Sequence, residues 1–227
     1  EKGLTKAAAK QYEARPMIAG LKTEGETKGI YSPTNCQTKV GTLLQANEEQ
    51  CIEAATIAKK YHAQWDDLGI EKRSDLLEKL GEKLEEHTEQ LMAILIKEAG
   101  KTYGDAIAEV REAVDFCRYY ANQARETLSV KTLPGPTGEL NQLSLHGRGT
   151  FLCVSPWNFP LAIFMGQVVA ALVAGNCVLA KPAEQTSLIG AYAVELMYEV
   201  GFPRESIQLV TGRGSVIGAS LVSNEDV

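Results

Sequence analysis

From residue 150 onward, short apolar runs alternate with helical patterns, and this alternation constrains the fold more than any other feature of the sequence. Parallel strands need a crossover of a dozen or more residues between them, and that crossover is usually a helix. The order β-α-β-α-β-α therefore predicts an open parallel sheet with right-handed crossovers. The predicted strands span 150–154, 177–180 and 207–210, and the predicted helices span 161–174 and 187–200, with a third beginning at Ser215.

The preceding part of the chain is dominated by helical patterns and by charge. Residues 1–135 hold 19 of the 23 basic and 22 of the 29 acidic residues. Asn47 and Gln50 form a capping-box pattern, and Thr88 is expected to cap a later helix that Gly100 closes. Four apolar stripes have helical spacing: Cys51, Ala54, Ala55, Ala58, Tyr61, His62 and Trp65, ending near Gly69; Leu76, Leu77, Leu80 and Leu84; Leu91, Met92, Leu95 and Ile96; and, from Asp105 to about Thr127, Val110, Ala113, Val114, Cys117, Tyr120, Ala121 and Ala124.

A turn-rich segment at 133–138 separates these two regions. The alternation of Leu143 and Leu145 after it predicts a strand or hairpin that projects from the body of the protein. A plain linker is the alternative.

The composition excludes several classes of function. A net charge of -6 gives no basic patch for nucleic acid, and no apolar run reaches the ~18 residues of a membrane span. The 5 cysteines are widely spaced without a C-x-x-C pair, and the 3 histidines have no spacing for a metal, so we expect no metal site. Free cysteines suit a reducing compartment, so we expect a cytoplasmic protein with small-molecule or protein partners.

Ligands of parallel sheets bind beyond the carboxyl ends of the strands, so the residues after each strand are the candidate site. After the first strand, two prolines make the loop that carries Asn158 rigid. An Asn amide can donate to an oxyanion formed when a nucleophile attacks a carbonyl group. The alternative is that Asn158 caps the following helix.

The second and third strands end in two further patterns. Lys181 and Glu184 follow the second strand, where they either pair with each other or hold the hydroxyls of a ribose, a contact that favours NAD over NADP. Gly212 and Gly214 follow the third strand, and their spacing departs from the usual G-x-G-x-x-G phosphate loop. Close packing against an adenine or ribose and a plain glycine turn both remain open.

The strand-end motifs together resemble those of the aldehyde dehydrogenase superfamily. The similarity is greatest to the pyrroline-5-carboxylate (glutamate semialdehyde) dehydrogenase domain of the bifunctional proline utilization A enzymes, and it covers nearly the whole chain, least clearly before about Pro33. The motifs that carry it are Pro156-Trp157-Asn158-Phe159-Pro160, Lys181-Pro182-Ala183-Glu184, Gly212-x-Gly214, the run from Ala108 to Tyr120, and Gly135-Pro136-Thr137-Gly138-Glu139.

The resemblance implies roles for individual residues. Asn158 would be the side-chain donor of the oxyanion hole, and Lys181 and Glu184 would hold the adenosine ribose of NAD. Ser155, Pro156 and Trp157 would line the nicotinamide side, and Gly212 and Gly214 would lie along the adenine pocket.

The resemblance also implies an organisation. Residues 1–130 would be the N-terminal helical part of an NAD-binding domain, 131–148 a hairpin of the oligomerisation flap, and 149–227 the first half of a Rossmann-like parallel sheet. The family's nucleophilic Cys and its Glu base match no motif here, so we expect a truncated dehydrogenase domain, inactive alone, whose full-length parent is a homo-oligomer acting on an aldehyde. FAD would belong only to a proline dehydrogenase domain outside this chain. The alternatives are a dehydrogenase for another aldehyde and a non-catalytic nucleotide-binding or partner-binding module.

Overall fold

The computed structural model describes residues 10–227 together with Thr5 and Ala7, and it forms layers of helices around three small sheets. The strands are β1 (Tyr12–Ala14), β2 (Thr27–Ser32), β3 (Asn35–Leu44), β4 (Lys131–Leu133), β5 (Asn141–Leu143), β6 (Thr150–Val154), β7 (Cys177–Lys181) and β8 (Ile207–Leu209). The helices are α1 (Glu48–Asp66), α2 (Ile70–Glu86), α3 (Thr88–Ala99), α4 (Tyr103–Thr127), α5 (Ala162–Val173), α6 (Ser187–Glu199) and α7 (Gly214–Leu221), with a 3-10 turn at Glu184–Thr186.

The predicted parallel sheet is confirmed, with strand order β6-β7-β8 and parallel pairing throughout. All five residues of the central strand β7 are buried, as expected for a strand covered on both faces. Helices α5 and α6 are the crossovers, and their bounds differ from the prediction by one residue at most. The sheet and its crossover helices form an α/β core in which consecutive strands end at one edge.

A second sheet, with order β1-β3-β2, was missed by the sequence patterns. The first five residues of β3 are exposed and its register with β2 shifts near Tyr31, so no clean alternation marks it. This sheet is joined to the parallel sheet through an antiparallel bridge between Met17 and Leu209. From residue 10 to residue 46, the chain therefore forms strands and loops and no helix.

The predicted helices are present, with corrections at two ends. The capping box of Asn47 and Gln50 forms as predicted, and Gly100 closes α3 with a left-handed φ of 68°. The prediction that Thr88 caps α3 is wrong, because His87 is the N-cap and the Thr88 hydroxyl donates to the Glu85 carbonyl at 2.7 Å. Helix α4 begins two residues earlier than predicted and is capped by Thr102, whose hydroxyl accepts from the Asp105 amide.

A buried arginine joins the helical layer to the α/β core. Arg73 is 2% exposed, and its guanidinium donates to the carbonyls of Val173 (3.0 Å) and Trp65 (3.2 Å). The Trp65 indole donates to the Leu172 carbonyl at 3.0 Å. These carbonyls lie at the C-terminal ends of α1 and α5, where the side-chain donors add to the backbone amides that follow each helix. The helical layer thus satisfies polar groups of the core as well as covering its apolar surface.

Strands β4 and β5 form the predicted hairpin, with Leu143 46% exposed and Leu145, beyond β5, 51% exposed. The chain leaving it is held by Asp66, whose carboxylate accepts from the Gly147 amide (3.1 Å) and lies 2.8 Å from His146 Nδ1. The assignment of this hairpin to an oligomerisation flap stays a prediction.

Candidate nucleotide and oxyanion site

The three parallel strands bring their carboxyl ends to one edge. The Ser155 amide donates to the Lys181 carbonyl at 3.0 Å, and the Val210 amide donates to the Ala180 carbonyl at 2.9 Å. The residues that follow the strands therefore lie side by side, as the sequence predicted. This edge is the candidate site.

Asn158 lies in the rigid loop between β6 and α5 and is exposed. It does not cap α5, because the N-cap residue is Leu161 and no side chain of the loop bonds to that end. Among the described residues, no partner accepts or donates a hydrogen bond to the Asn158 side chain. The side-chain amide of Asn158 is therefore free to donate to a ligand, as an oxyanion donor must be.

The cap of α5 comes instead from Glu109 on helix α4, which the sequence patterns did not reveal as a functional residue. Its carboxylate is 1% exposed and accepts from the amides of Leu161 (2.8 Å) and Ala162 (3.3 Å). Lys101 pairs with the same carboxylate at 3.0 Å and places its ammonium 4.2 Å from the centroid of the Phe159 ring. The only signal in the sequence was a carboxylate within an apolar helical stripe.

Lys181 and Glu184 do not form an ion pair with each other. Lys181 is 6% exposed, and its ammonium donates to the Pro182 carbonyl at 3.0 Å. Burial lowers the pKa of Lys181, and the charge of Glu184 opposes that shift. The Glu184 carboxylate pairs instead with Lys28 of β2 at 2.8 Å. Lys28 was missed because nothing in the sequence indicates that the β1-β3-β2 sheet reaches this edge.

Gly212 and Gly214 have different constraints. Gly212 has φ 137°, and a Cβ there would lie 3.3 Å from the Ala46 amide nitrogen, so glycine is required by the backbone. Gly214 is the first residue of α7, and a Cβ on it would lie 3.9 Å from Lys181 Cε. The second glycine therefore faces the lysine of the neighbouring strand end.

Ser155 is buried, with its hydroxyl oxygen 3.5 Å from Gln167 Oε1. Pro156 is half-buried and Trp157 is 61% exposed. The edge thus combines a cation, a carboxylate, a glycine turn and an open aromatic surface. Groups of these kinds can contact the ribose, phosphate and ring groups of a dinucleotide.

Four of the five thiols are poorly suited to act as a nucleophile. Burial raises the pKa of Cys51 to about 11 and the pKa of Cys117, Cys153 and Cys177 to about 12. A thiol with such a pKa is protonated near neutral pH and is a poor nucleophile. The fifth cysteine, Cys36, lies exposed on β3.

No helix within residues 10–227 is long and apolar enough to cross a membrane. The described side chains also include no group of three His, Cys, Asp or Glu residues arranged to hold a metal ion.

The fold and this edge define a Rossmann-like α/β unit with an exposed side-chain amide at the carboxyl edge of its parallel sheet. The sequence model of the aldehyde dehydrogenase family matches residues 21–227, and the chain belongs to that family.

Individual relatives agree with this assignment. The chain is 42% identical over 224 residues to the bifunctional protein PutA of Klebsiella aerogenes, covering 99% of this chain and 16% of that protein. It is 34% identical over 227 residues to 1-pyrroline-5-carboxylate dehydrogenase of Bacillus mycoides, covering 99% of this chain and 44% of that protein. The crystal structure of 1-pyrroline-5-carboxylate dehydrogenase from Thermus with bound NAD superposes with a TM-score of 0.92 at 32% identity, covering 100% of this chain and 45% of that chain. The chain thus spans less than half the length of each of these relatives.

Proposed function

We propose that this chain is part of an NAD-dependent aldehyde dehydrogenase that oxidises L-glutamate 5-semialdehyde, the open form of pyrroline-5-carboxylate, to glutamate in proline catabolism. The observation that carries the proposal is the exposed Asn158 amide, without a partner among the described residues, at the sheet edge that also holds Lys181 and Glu184. The likeness to PutA and to pyrroline-5-carboxylate dehydrogenases supports the choice of substrate.

In this proposal the residues act by binding and orienting. Asn158 donates its amide N–H to the oxygen that becomes negatively charged when a nucleophile attacks the aldehyde. Lys181 and Glu184 hold the two ribose hydroxyls of the adenosine, and NAD, when bound, supplies the hydride acceptor.

The remaining contacts would come from residues at the other two strand ends. Ser155, Pro156 and Trp157 would line the nicotinamide side, and Gly212 and Gly214 would let the backbone approach the adenosine.

We further propose that the 227 residues do not turn over substrate by themselves. Four of the five thiols are buried with raised pKa values, and the cysteine nucleophile and glutamate base expected of the family match no motif in this sequence. A cytoplasmic location, a homo-oligomeric assembly through the β4–β5 hairpin, and FAD confined to a separate proline dehydrogenase domain belong to the same proposal.

A non-catalytic nucleotide-binding module is less well supported. Strand β6 forms one edge of the parallel sheet and exposes Phe151 (43%) and Val154 (53%). An exposed apolar sheet edge favours pairing with further chain, whereas a free-standing binding module would have a polar covering there.

The test is the reduction of NAD by purified full-length protein with glutamate semialdehyde as substrate, measured by NADH absorbance. We expect turnover by the full-length protein and none by the 227-residue chain. Full-length protein that binds NAD but oxidises no aldehyde would favour the binding module. Turnover by the 227-residue chain would contradict the proposed absence of a nucleophile.

A further inference from the structure

A second cation lies at the ribose end of the candidate site. Lys28, on β2 of the sheet that the sequence did not predict, places its ammonium 2.8 Å from Glu184 Oε1. The Lys28 side chain is 55% exposed and the Glu184 side chain is 26% exposed, so both atoms can be reached from solvent. The two residues are separated by 156 positions in the sequence and line one open cleft with Ile30, Tyr31 and Gln185.

The charge of this pair affects the nucleotide that the site can accept. A carboxylate at the ribose accepts from a 2′-hydroxyl and repels a 2′-phosphate, and this repulsion is the usual basis for preferring NAD to NADP. A lysine in contact with the carboxylate neutralises much of that repulsion and offers N–H donors to phosphate oxygens. Lys28 therefore favours binding of a 2′-phosphate, whereas Glu184 disfavours it.

We infer that Lys28 is a specificity-determining residue, which orients the Glu184 carboxylate and weakens the discrimination against the 2′-phosphate of NADP. This inference rests on the proposed function, because it requires that the adenosine ribose bind beside Glu184. It assigns to the β1-β3-β2 sheet a part in nucleotide selection in addition to its packing against the core.

The ion pair between Lys28 and Glu184 should contribute little to the free energy of unfolding. Exposed pairs of this kind stabilise proteins little, because water and salt screen the charges and ordering two long side chains costs entropy. Replacing Lys28 should therefore leave the fold intact, and an effect on nucleotide selection can be separated from an effect on stability.

The experiment measures the dissociation constants of NAD and NADP by isothermal titration calorimetry on full-length protein, for the wild type and for Lys28→Met and Lys28→Arg. Removal of the cation should raise the ratio Kd(NADP)/Kd(NAD) by about three- to tenfold, the size expected for one partly exposed charge. Lys28→Arg keeps the charge and should restore the ratio. Lys39→Met is the matched control, since Lys39 is an exposed lysine of the same sheet, on β3 opposite Tyr31.

Glu184→Gln is the second variant for which the same ratio is measured. With the carboxylate removed, Lys28 faces the 2′-substituent without its counter-charge, so we expect the ratio Kd(NADP)/Kd(NAD) to fall. Adding Lys28→Met to Glu184→Gln should remove that gain in NADP binding.

Three outcomes would contradict either the role of Lys28 or the proposed function. An unchanged ratio in Lys28→Met, or an equal loss of affinity for both nucleotides, overturns the role of Lys28 while leaving the proposed function standing. A change of equal size in Lys39→Met also overturns it, because the effect would then follow net charge alone. Wild-type protein that binds neither nucleotide refutes the proposed function itself.

Discussion

Removal of the Glu109 carboxylate should loosen the helix end that follows the Asn158 loop. The Glu109 side chain is 1% exposed. Its carboxylate accepts from the amides of Leu161 and Ala162 and pairs with Lys101. In Glu109→Ala the buried amides of Leu161 and Ala162 lose their acceptor, and the partly exposed Lys101 loses its counter-charge. The first turn of α5 should therefore open far more often than in the wild type.

The size of the effect follows from burial. Breaking a buried ion pair by removing one partner costs about 3–5 kcal/mol, and each buried donor left unsatisfied costs about 1–3 kcal/mol. These costs overlap, so we expect about 3–5 kcal/mol for Glu109→Ala. Glu109→Gln keeps one carbonyl acceptor for Leu161 and should cost about 1–3 kcal/mol.

Hydrogen exchange measured by mass spectrometry on the full-length protein tests this locally. A loss of 3 kcal/mol in local stability corresponds to roughly a hundredfold faster exchange at the first turn of α5, provided that exchange occurs through local opening. Glu112 is an exposed residue of the same helix, so Glu112→Ala should change exchange there by less than about threefold. Equal protection of the α5 first turn in Glu109→Ala and Glu112→Ala would refute the reasoning.

Three further predictions concern pH, catalysis and backbone geometry. Burial raises the pKa of Glu98 from 4.5 to about 8, against the Leu188 and Ile189 amides that lower it, so folding takes up a proton between these pH values. Stability should thus fall as pH rises from 4.5 to 8, and melting curves of Glu98→Gln should show a flatter dependence. Asn158→Ala in the full-length enzyme should lower kcat by about 10²–10³ without changing the melting temperature. Gly212→Ala should destabilise the protein by about 1–3 kcal/mol in thermal unfolding, because a Cβ is strained at φ 137°.

Features that depend on neighbouring residues could be predicted from the sequence. The capping box of Asn47 and Gln50, the left-handed Gly100 and the alternation of strands and helices after residue 150 all follow from local chemistry. Thr102 carries an equally local signal, with Asp105 three residues later, and it was missed because the helix start was placed at Asp105 itself.

Features that depend on distant contacts could not be predicted in this way. Lys28 meets Glu184 across 156 positions, and Glu109 meets Leu161 across 52 positions. Nothing in the local sequence of Lys28 distinguishes it from a solvated lysine, because its role is set by the unpredicted sheet. The sequence therefore placed Lys181 and Glu184 at and just beyond the end of the second strand, where they lie, but it did not indicate that Lys28 pairs with Glu184.

Two buried glutamates give the helical layer a definite part in shaping the site. Glu109 of α4 caps α5, and Glu98 of α3 caps α6 by accepting from the amides of Leu188 (2.7 Å) and Ile189 (3.0 Å). Each capped helix begins immediately after a candidate ligand loop, the first carrying Asn158 and the second carrying Glu184. A helix N-terminus that is fixed by a side chain from another layer cannot shift without breaking these buried hydrogen bonds. The positions of the two loops are therefore set by helices α3 and α4 as well as by the sheet, so changes in that layer should alter nucleotide and aldehyde binding without touching either ligand.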